Sequence, residues 1–92
     1  MLTVKYTKLA IKDLTVSYEY ICAENPISAR FVIEKIETAL TYLQMQPYLG
    51  HVGRVKNTYE FIVLGTPFIV VYMLKEDSLI VVSILHTAKK YP

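Results

Sequence analysis

The apolar positions of this chain change their period twice. Met1-Leu2-Thr3-Val4-Lys5-Tyr6 alternates in the manner of a strand. Apolar side chains then recur as Ile11, Leu14, Tyr18 and Ile21 with Lys12, Asp13 and Glu19 off that stripe, which predicts an amphipathic helix over Lys8–Ala23. Asn25-Pro26 acts as both stop and start. Proline suits the first helical position because it has no amide hydrogen to leave unpaired, and Asn can cap the amides that are free. A second helix is predicted over Pro26–Met45, with Ala29, Ile33, Ile36, Leu40 and Leu43 on one face and Glu34, Lys35 and Glu37 off it. So short a link predicts an antiparallel hairpin. Pro47 and Gly50 end the helical region, and His51-Val52-Gly53 reads as a loop.

Period two then replaces period 3.6. Three runs rich in Val, Ile, Tyr and Phe, namely Tyr59–Leu64, Phe68–Leu74 and Leu79–Leu85, have the composition of strands. Gly65-Thr66-Pro67 separates the first two and Lys75-Glu76-Asp77-Ser78 the last two, and connections this short join antiparallel neighbours. The expected architecture is α+β: an N-terminal strand and a helical hairpin packed on a twisted, mainly antiparallel sheet, in the order β-α-α-β-β-β. Ile69-Val70-Val71 and Leu79-Ile80-Val81-Val82 are apolar throughout, which suggests strands covered on both faces. One face meets the helices. The other needs a cover that a chain this short has no third layer to supply, and an uncovered apolar face on a small protein marks a partner site.

Composition narrows the picture further. Ninety-two residues with 53% hydrophobic content make one domain, 1–92, with a single core, and leave no room for an elaborate active site. Ten basic residues against eight acidic ones give no polyelectrolyte argument for nucleic acid. The two charge types balance at five each over residues 1–45, so the positive excess, five against three, belongs to residues 46–92. The single cysteine, Cys22, excludes an intramolecular disulfide and any cysteine-based metal cluster, and reads as a small buried hydrophobe. No signal peptide is visible, and the longest apolar run, Pro67–Leu74, falls far short of the roughly 20 residues a spanning helix needs. A cytoplasmic protein with no membrane partner is expected.

Titratable groups collect abruptly in the tail His86-Thr87-Ala88-Lys89-Lys90-Tyr91-Pro92. Arg54, which follows Gly53 at the entry to the sheet, is placed either to reach that rim or to form a surface ion pair with Glu60. His51 and His86 have no Cys or acid at ligand spacing, so no metal site is assigned. Gly65-Thr66-Pro67 is too short to cradle a phosphate. No cofactor and no small-molecule substrate are indicated. Of the eight tyrosines, Tyr18 and Tyr72 are assigned to the core, and Tyr59 and Tyr91 to the surface.

Tyr20-Ile21-Cys22-Ala23-Glu24-Asn25-Pro26, the second helix with Ala29, Ile36 and Ala39, Pro47-Tyr48-Leu49-Gly50, Gly53-Arg54-Val55, Tyr59-Glu60, Gly65 through Tyr72 and the ending His86 to Pro92 together resemble the bacterial RelE/ParE toxins. The resemblance runs through almost the whole chain in the right order. It implies the toxin of a type II toxin–antitoxin pair, bound by a cognate antitoxin that lays a helix or extended segment over apolar and basic surfaces.

That family divides by target. RelE-like members cut messenger RNA on the ribosome with basic side chains from the central strands and the C-terminal region. Such chemistry needs a group to deprotonate or orient the ribose 2′-hydroxyl, cations for the phosphate and an acid for the leaving oxygen. Where the resemblance implies an arginine this chain has Ile69, and where it implies lysines it has Glu60 and Ile62. These departures imply the ParE-like alternative, a non-catalytic toxin that poisons DNA gyrase. No catalytic residue is assigned on that reading; target or antitoxin contact is assigned to Arg54, Tyr59, Glu60, His86, Lys89, Lys90 and Tyr91. The runner-up is a ribosome-dependent endoribonuclease assembled from Arg54, His86, Lys89, Lys90 and Tyr91. A third reading is a binding module whose toxicity has decayed.

Overall fold

Thr7 and Asn25 decide where the two helices begin. The Thr7 hydroxyl accepts from the Ala10 amide at 3.0 Å and donates to the Val82 carbonyl at 2.7 Å, so one side chain caps a helix and ties it to a strand. Asn25 Oδ1 accepts from the Ile27 and Ser28 amides, with Pro26 in the first turn behind it. In the computed structural model, which describes residues 1–87, the order is β1 (Thr3–Tyr6), α1 (Lys8–Glu24), α2 (Pro26–Met45), β2 (His51–Val52), β3 (Tyr59–Val63), β4 (Phe68–Lys75) and β5 (Ser78–His86). Asn25 alone separates the helices, with α1 running one residue further, to Glu24, than the sequence predicts.

One sheet in the order β1-β5-β4-β3-β2 carries all the strands. The pairs are antiparallel except β1 with β5, which run parallel, Val4 beside Leu79 and Tyr6 beside Val81. The segment expected to be a loop at His51-Val52 is instead a two-residue edge strand, with His51 opposite Glu60 and Val52 opposite Tyr59. The reason is local. The Gly53 amide donates to the Thr58 carbonyl at 2.8 Å and closes a hairpin too short for hydrophobic periodicity to register.

Register assigns the two faces. Tyr59, Phe61 and Val63 lie beside Tyr72, Val70 and Phe68, and with Leu79, Val81 and Ile84 they face the helices. Phe68, Val70, Tyr72, Leu79 and Val81 are completely buried there, against Ile36, Ala39, Leu40 and Leu43 of α2 and Ala10 of α1. Between Val71 and Tyr72 the register shifts, and β5 carries Val82 as an extra residue.

α1 sits on the sheet differently from expectation. Ala10, Leu14 and Ile21 turn inward, whereas Ile11 is 54% and Tyr18 41% exposed, so Tyr18 is not a core residue. Completely buried Ala10 has a side chain small enough to bring the helix backbone close to the core, and this rotates the stripe by one position. Cys22 is half-buried rather than buried.

Beyond Tyr6 the outer edge of β5 has lost its strand partner. Asp13 of α1 takes over, its Oδ2 accepting from the Ile84 amide at 3.0 Å and the Ser83 hydroxyl at 2.9 Å. On the face away from the helices Ile62, Ile69 and Leu85 form one row, and Glu60, Val71 and Ser83 the next. Ile62 is 52% exposed. Ile69 and Leu85 are half-buried and Val71 and Glu60 are buried, so the apolar face expected to lie uncovered is open only in part, at Ile62. Among the described residues no helix is long and apolar enough to cross a membrane.

Candidate partner-binding site

The segment between α2 and β3 is held by hydrogen bonds that leave its side chains little choice of place. The Tyr72 hydroxyl donates to the Pro47 carbonyl at 2.6 Å and accepts from the Gly50 amide at 3.1 Å. Burial pushes the Tyr72 phenol up from its usual range, against the lowering effect of the Gly50 amide. Further along, Thr58 Oγ1 donates to the Val55 carbonyl at 2.6 Å, and Asn57 takes the left-handed conformation that closes the turn. Any Cβ at Gly53 would collide with the Thr58 hydroxyl, so only glycine brings the two strands this close.

Arg54 emerges from that turn over β3. Its backbone amide donates to Glu60 Oε2 at 2.9 Å, its Nε to the same oxygen at 3.2 Å and its Nη2 to Oε1 at 3.5 Å. The two residues differ sharply in exposure, at 64% for the Arg54 side chain and 8% for that of Glu60. His51 Nε2 lies 4.0 Å from Glu60 Oε1. The hydrogen bond from the Arg54 amide, aided by the guanidinium and by His51, holds the Glu60 carboxyl below the usual carboxylate range, although burial alone would raise it. Of the two roles read for Arg54 from the sequence, the ion pair with Glu60 is present, with its carboxylate buried rather than on the surface.

Tyr59, assigned to the surface, is only half-buried and belongs to an aromatic stack. Its ring stacks on Tyr72 at 5.5 Å, and Tyr48 meets it edge-on at 5.7 Å. Its strand neighbour Glu60 points to the opposite face of the sheet. His86, at the far end of β5, packs edge-on against Phe68 with ring centres 4.9 Å apart. Both line a cleft of about 650 Å³ whose other wall includes Val16, Tyr20, Ile21 and Glu24 of α1. Arg54, Glu60 and His51 thus form one cluster on the open face, while His86 stands on the helix face. Lys89, Lys90 and Tyr91 lie outside the described residues.

Sequence reasoning missed His51 as a member of the cluster. The usable signal was spacing, since a hairpin closed by Gly53 and Thr58 sets residue 51 opposite residue 60. Among the described residues no three His, Cys, Asp or Glu side chains converge as metal ligands would.

Comparison with known proteins agrees with this architecture. A family model described as the ParE toxin of type II toxin-antitoxin system, parDE, matches residues 4–91. A protein of Sinorhizobium fredii named "Putative toxin Y4kP" is 28% identical over 89 residues, covering 97% of this chain and 92% of that protein. Among solved structures, a chain of the chromosomal ParDE TA system from P. aeruginosa superposes with a TM-score of 0.82 at 20% identity, over 94% of this chain and 96% of that one. The intact E. coli RelBE toxin-antitoxin complex gives 0.66 at 12% identity, over 98% and 100%. At such identities the structural likenesses speak for the fold, and the family match, spanning nearly all of the sequence, speaks for descent. This chain belongs to the ParE toxin family of type II toxin–antitoxin systems.

Proposed function

We propose that this toxin arrests growth in the cytoplasm by a protein–protein contact that poisons DNA gyrase, and that a cognate antitoxin neutralises it. The observation that carries this reading is the make-up of the open sheet face. Ile62 and Ile69 stand side by side there, and Glu60 is engaged by Arg54. Aliphatic side chains neither donate to a phosphate nor stabilise charge that develops on it. A surface of this kind suits docking on a protein.

The antitoxin's place is supported by exposed apolar side chains along the helical hairpin, among them Leu9, Ile11, Val16, Tyr20, Ile27 and Phe31, each at least 46% exposed. The ribosome-dependent endoribonuclease is kept as a second reading for one reason. His86 lines a cleft and stands three positions before Lys89 in a segment that also carries Lys90 and Tyr91, which brings a proton carrier and cations together in the sequence.

Purified toxin freed of antitoxin, incubated with gyrase, ATP and supercoiled plasmid beside a parallel reaction of programmed ribosomes, separates the two. Linear plasmid that depends on gyrase, with intact message, is the expected result. Cleaved message with untouched plasmid would transfer the function to His86 and the basic tail. Replacing Lys89 and Lys90 together by Glu is expected to abolish toxicity while leaving the melting temperature unchanged, and retained toxicity would locate the active surface elsewhere.

A further inference from the structure

The face of α2 turned away from the core carries a pattern that the fold does not use. Ile27, Phe31, Glu34, Thr38, Thr41 and Met45 follow one another at alternating spacings of four and three, the heptad spacing of a helix seam. All six are exposed, Ile27 at 82% and Met45 at 65%, and Tyr42 flanks them at 60%. The core positions Ala29, Ile36, Leu40 and Leu43 lie on the opposite side of the helix. Polar members of the seam are provided for within the helix itself. The Thr38 hydroxyl donates to the Glu34 carbonyl at 2.9 Å and the Thr41 hydroxyl to the Glu37 carbonyl at 3.1 Å, so covering them strands neither donor. Arg30 pairs with Glu34 at 3.4 Å, and the Lys35 ammonium lies 5.2 Å from the centre of the Phe31 ring. Arg30 and Lys35 balance Glu34 and Glu37, which leaves no net charge on this face to repel a copy of itself.

What covers the seam follows from its order. Apolar side chains stand at both ends and polar ones between them, so the row reads alike from either end. A second α2 laid antiparallel about a two-fold axis sets Ile27 against Met45 of the second copy, Phe31 against Thr41, and Glu34 against Thr38, each layer occurring twice. The same reversal sets the two helix dipoles in opposition, which is their favourable arrangement side by side. Twenty residues of helix are about 30 Å long, so the pairing buries on the order of 1,000 Å² in total, the low end for a specific contact. Dimerisation in the micromolar range follows from that area.

We infer that the outer face of α2 is a self-association surface, through which the toxin free of antitoxin pairs with a second copy of itself in an antiparallel helix seam. The pairing is independent of the gyrase reading. Ile27 and Phe31 are shared with the place proposed for the antitoxin, so the two occupants exclude each other.

Sedimentation of the antitoxin-free chain across the micromolar range tests this, with thermal melts of each variant. The unaltered chain is expected to pass from monomer to dimer as its concentration rises. Met45→Lys puts a charge in the end layer at an exposed position, and it is expected to melt like the unaltered protein yet dimerise at least about tenfold more weakly. Ile27→Glu is expected to act in the same way. The double variant sets opposite charges against each other in both end layers and is expected to recover most of the loss, which a general effect on solubility would not do. Leu64→Lys, 80% exposed at the end of β3, is expected to leave the dimer intact. A chain that stays monomeric throughout overturns the inference, as does a dimer that Leu64→Lys dissolves and Met45→Lys does not. A double variant as weak as either single one overturns the reversed register on which the pairing rests. Monomeric toxin whose Met45→Lys variant no longer holds the antitoxin would hand the face to the antitoxin and overturn it as well.

Discussion

Glu60 makes the folded state sensitive to acid in a definite direction. Because the Arg54 amide and guanidinium hold its carboxyl below the usual range in the folded chain, the unfolded chain takes up the proton first. Its contribution is complete above the unfolded glutamate pKa and is lost as the pH falls through the lower, folded value. Melting temperatures taken from neutral pH down into the carboxylate range should fall for the natural chain and fall less for Glu60→Gln. Parallel curves would mean that Glu60 is not a source of acid sensitivity. Tyr72 gives a second residue-scale test. Tyr72→Phe keeps the buried ring but strands the Pro47 carbonyl and the Gly50 amide, at a cost of about 1–3 kcal/mol by denaturant unfolding. The burial of Tyr72 was readable from its place in an apolar strand. The loss of Tyr18 from the core was not, since Ile11 and Tyr18 satisfy helical spacing as well as Ala10 and Ile21 do, and only the close approach permitted by Ala10 selects between them.

At the scale of elements, Asp13 shows how a helix completes a sheet. β1 stops at Tyr6, and the β5 edge beyond it would otherwise present the Ile84 amide to whatever came near. Asp13→Ala should cost about 1–3 kcal/mol and speed hydrogen exchange at Ile84, whereas unchanged protection there would show that the carboxylate is incidental. Nothing in the sequence singles Asp13 out, because a polar residue off an apolar stripe reads as solvated, and its partners Ser83 and Ile84 lie some 70 residues away. The long elements were legible for the opposite reason: their signals are local. Asn25-Pro26 fixes one boundary by capping, and the three apolar runs coincide with β3, β4 and β5 to within a residue or so at each end. β2 escaped because two residues carry no period. The candidate site was legible as residue types, but the burial of Glu60 and the presence of His51 beside it depend on that same unread strand.

For the molecule as a whole, overexpression of the soluble chain is expected to arrest growth, and co-expression of its antitoxin to restore it. Normal growth despite confirmed soluble protein would place the chain among modules that bind without poisoning. The parallel pair of β1 with β5 bears on when this toxicity arises. It joins residues near the two ends of the described chain, and the Thr7 hydroxyl bonds a carbonyl 75 positions away. The helical hairpin needs only neighbouring residues to form, but the first strand has no partner until the last has left the ribosome. A partly made chain therefore has neither a finished sheet nor the open face that β4 and β5 complete. Synthesis itself delays the folded toxin until β5 is made.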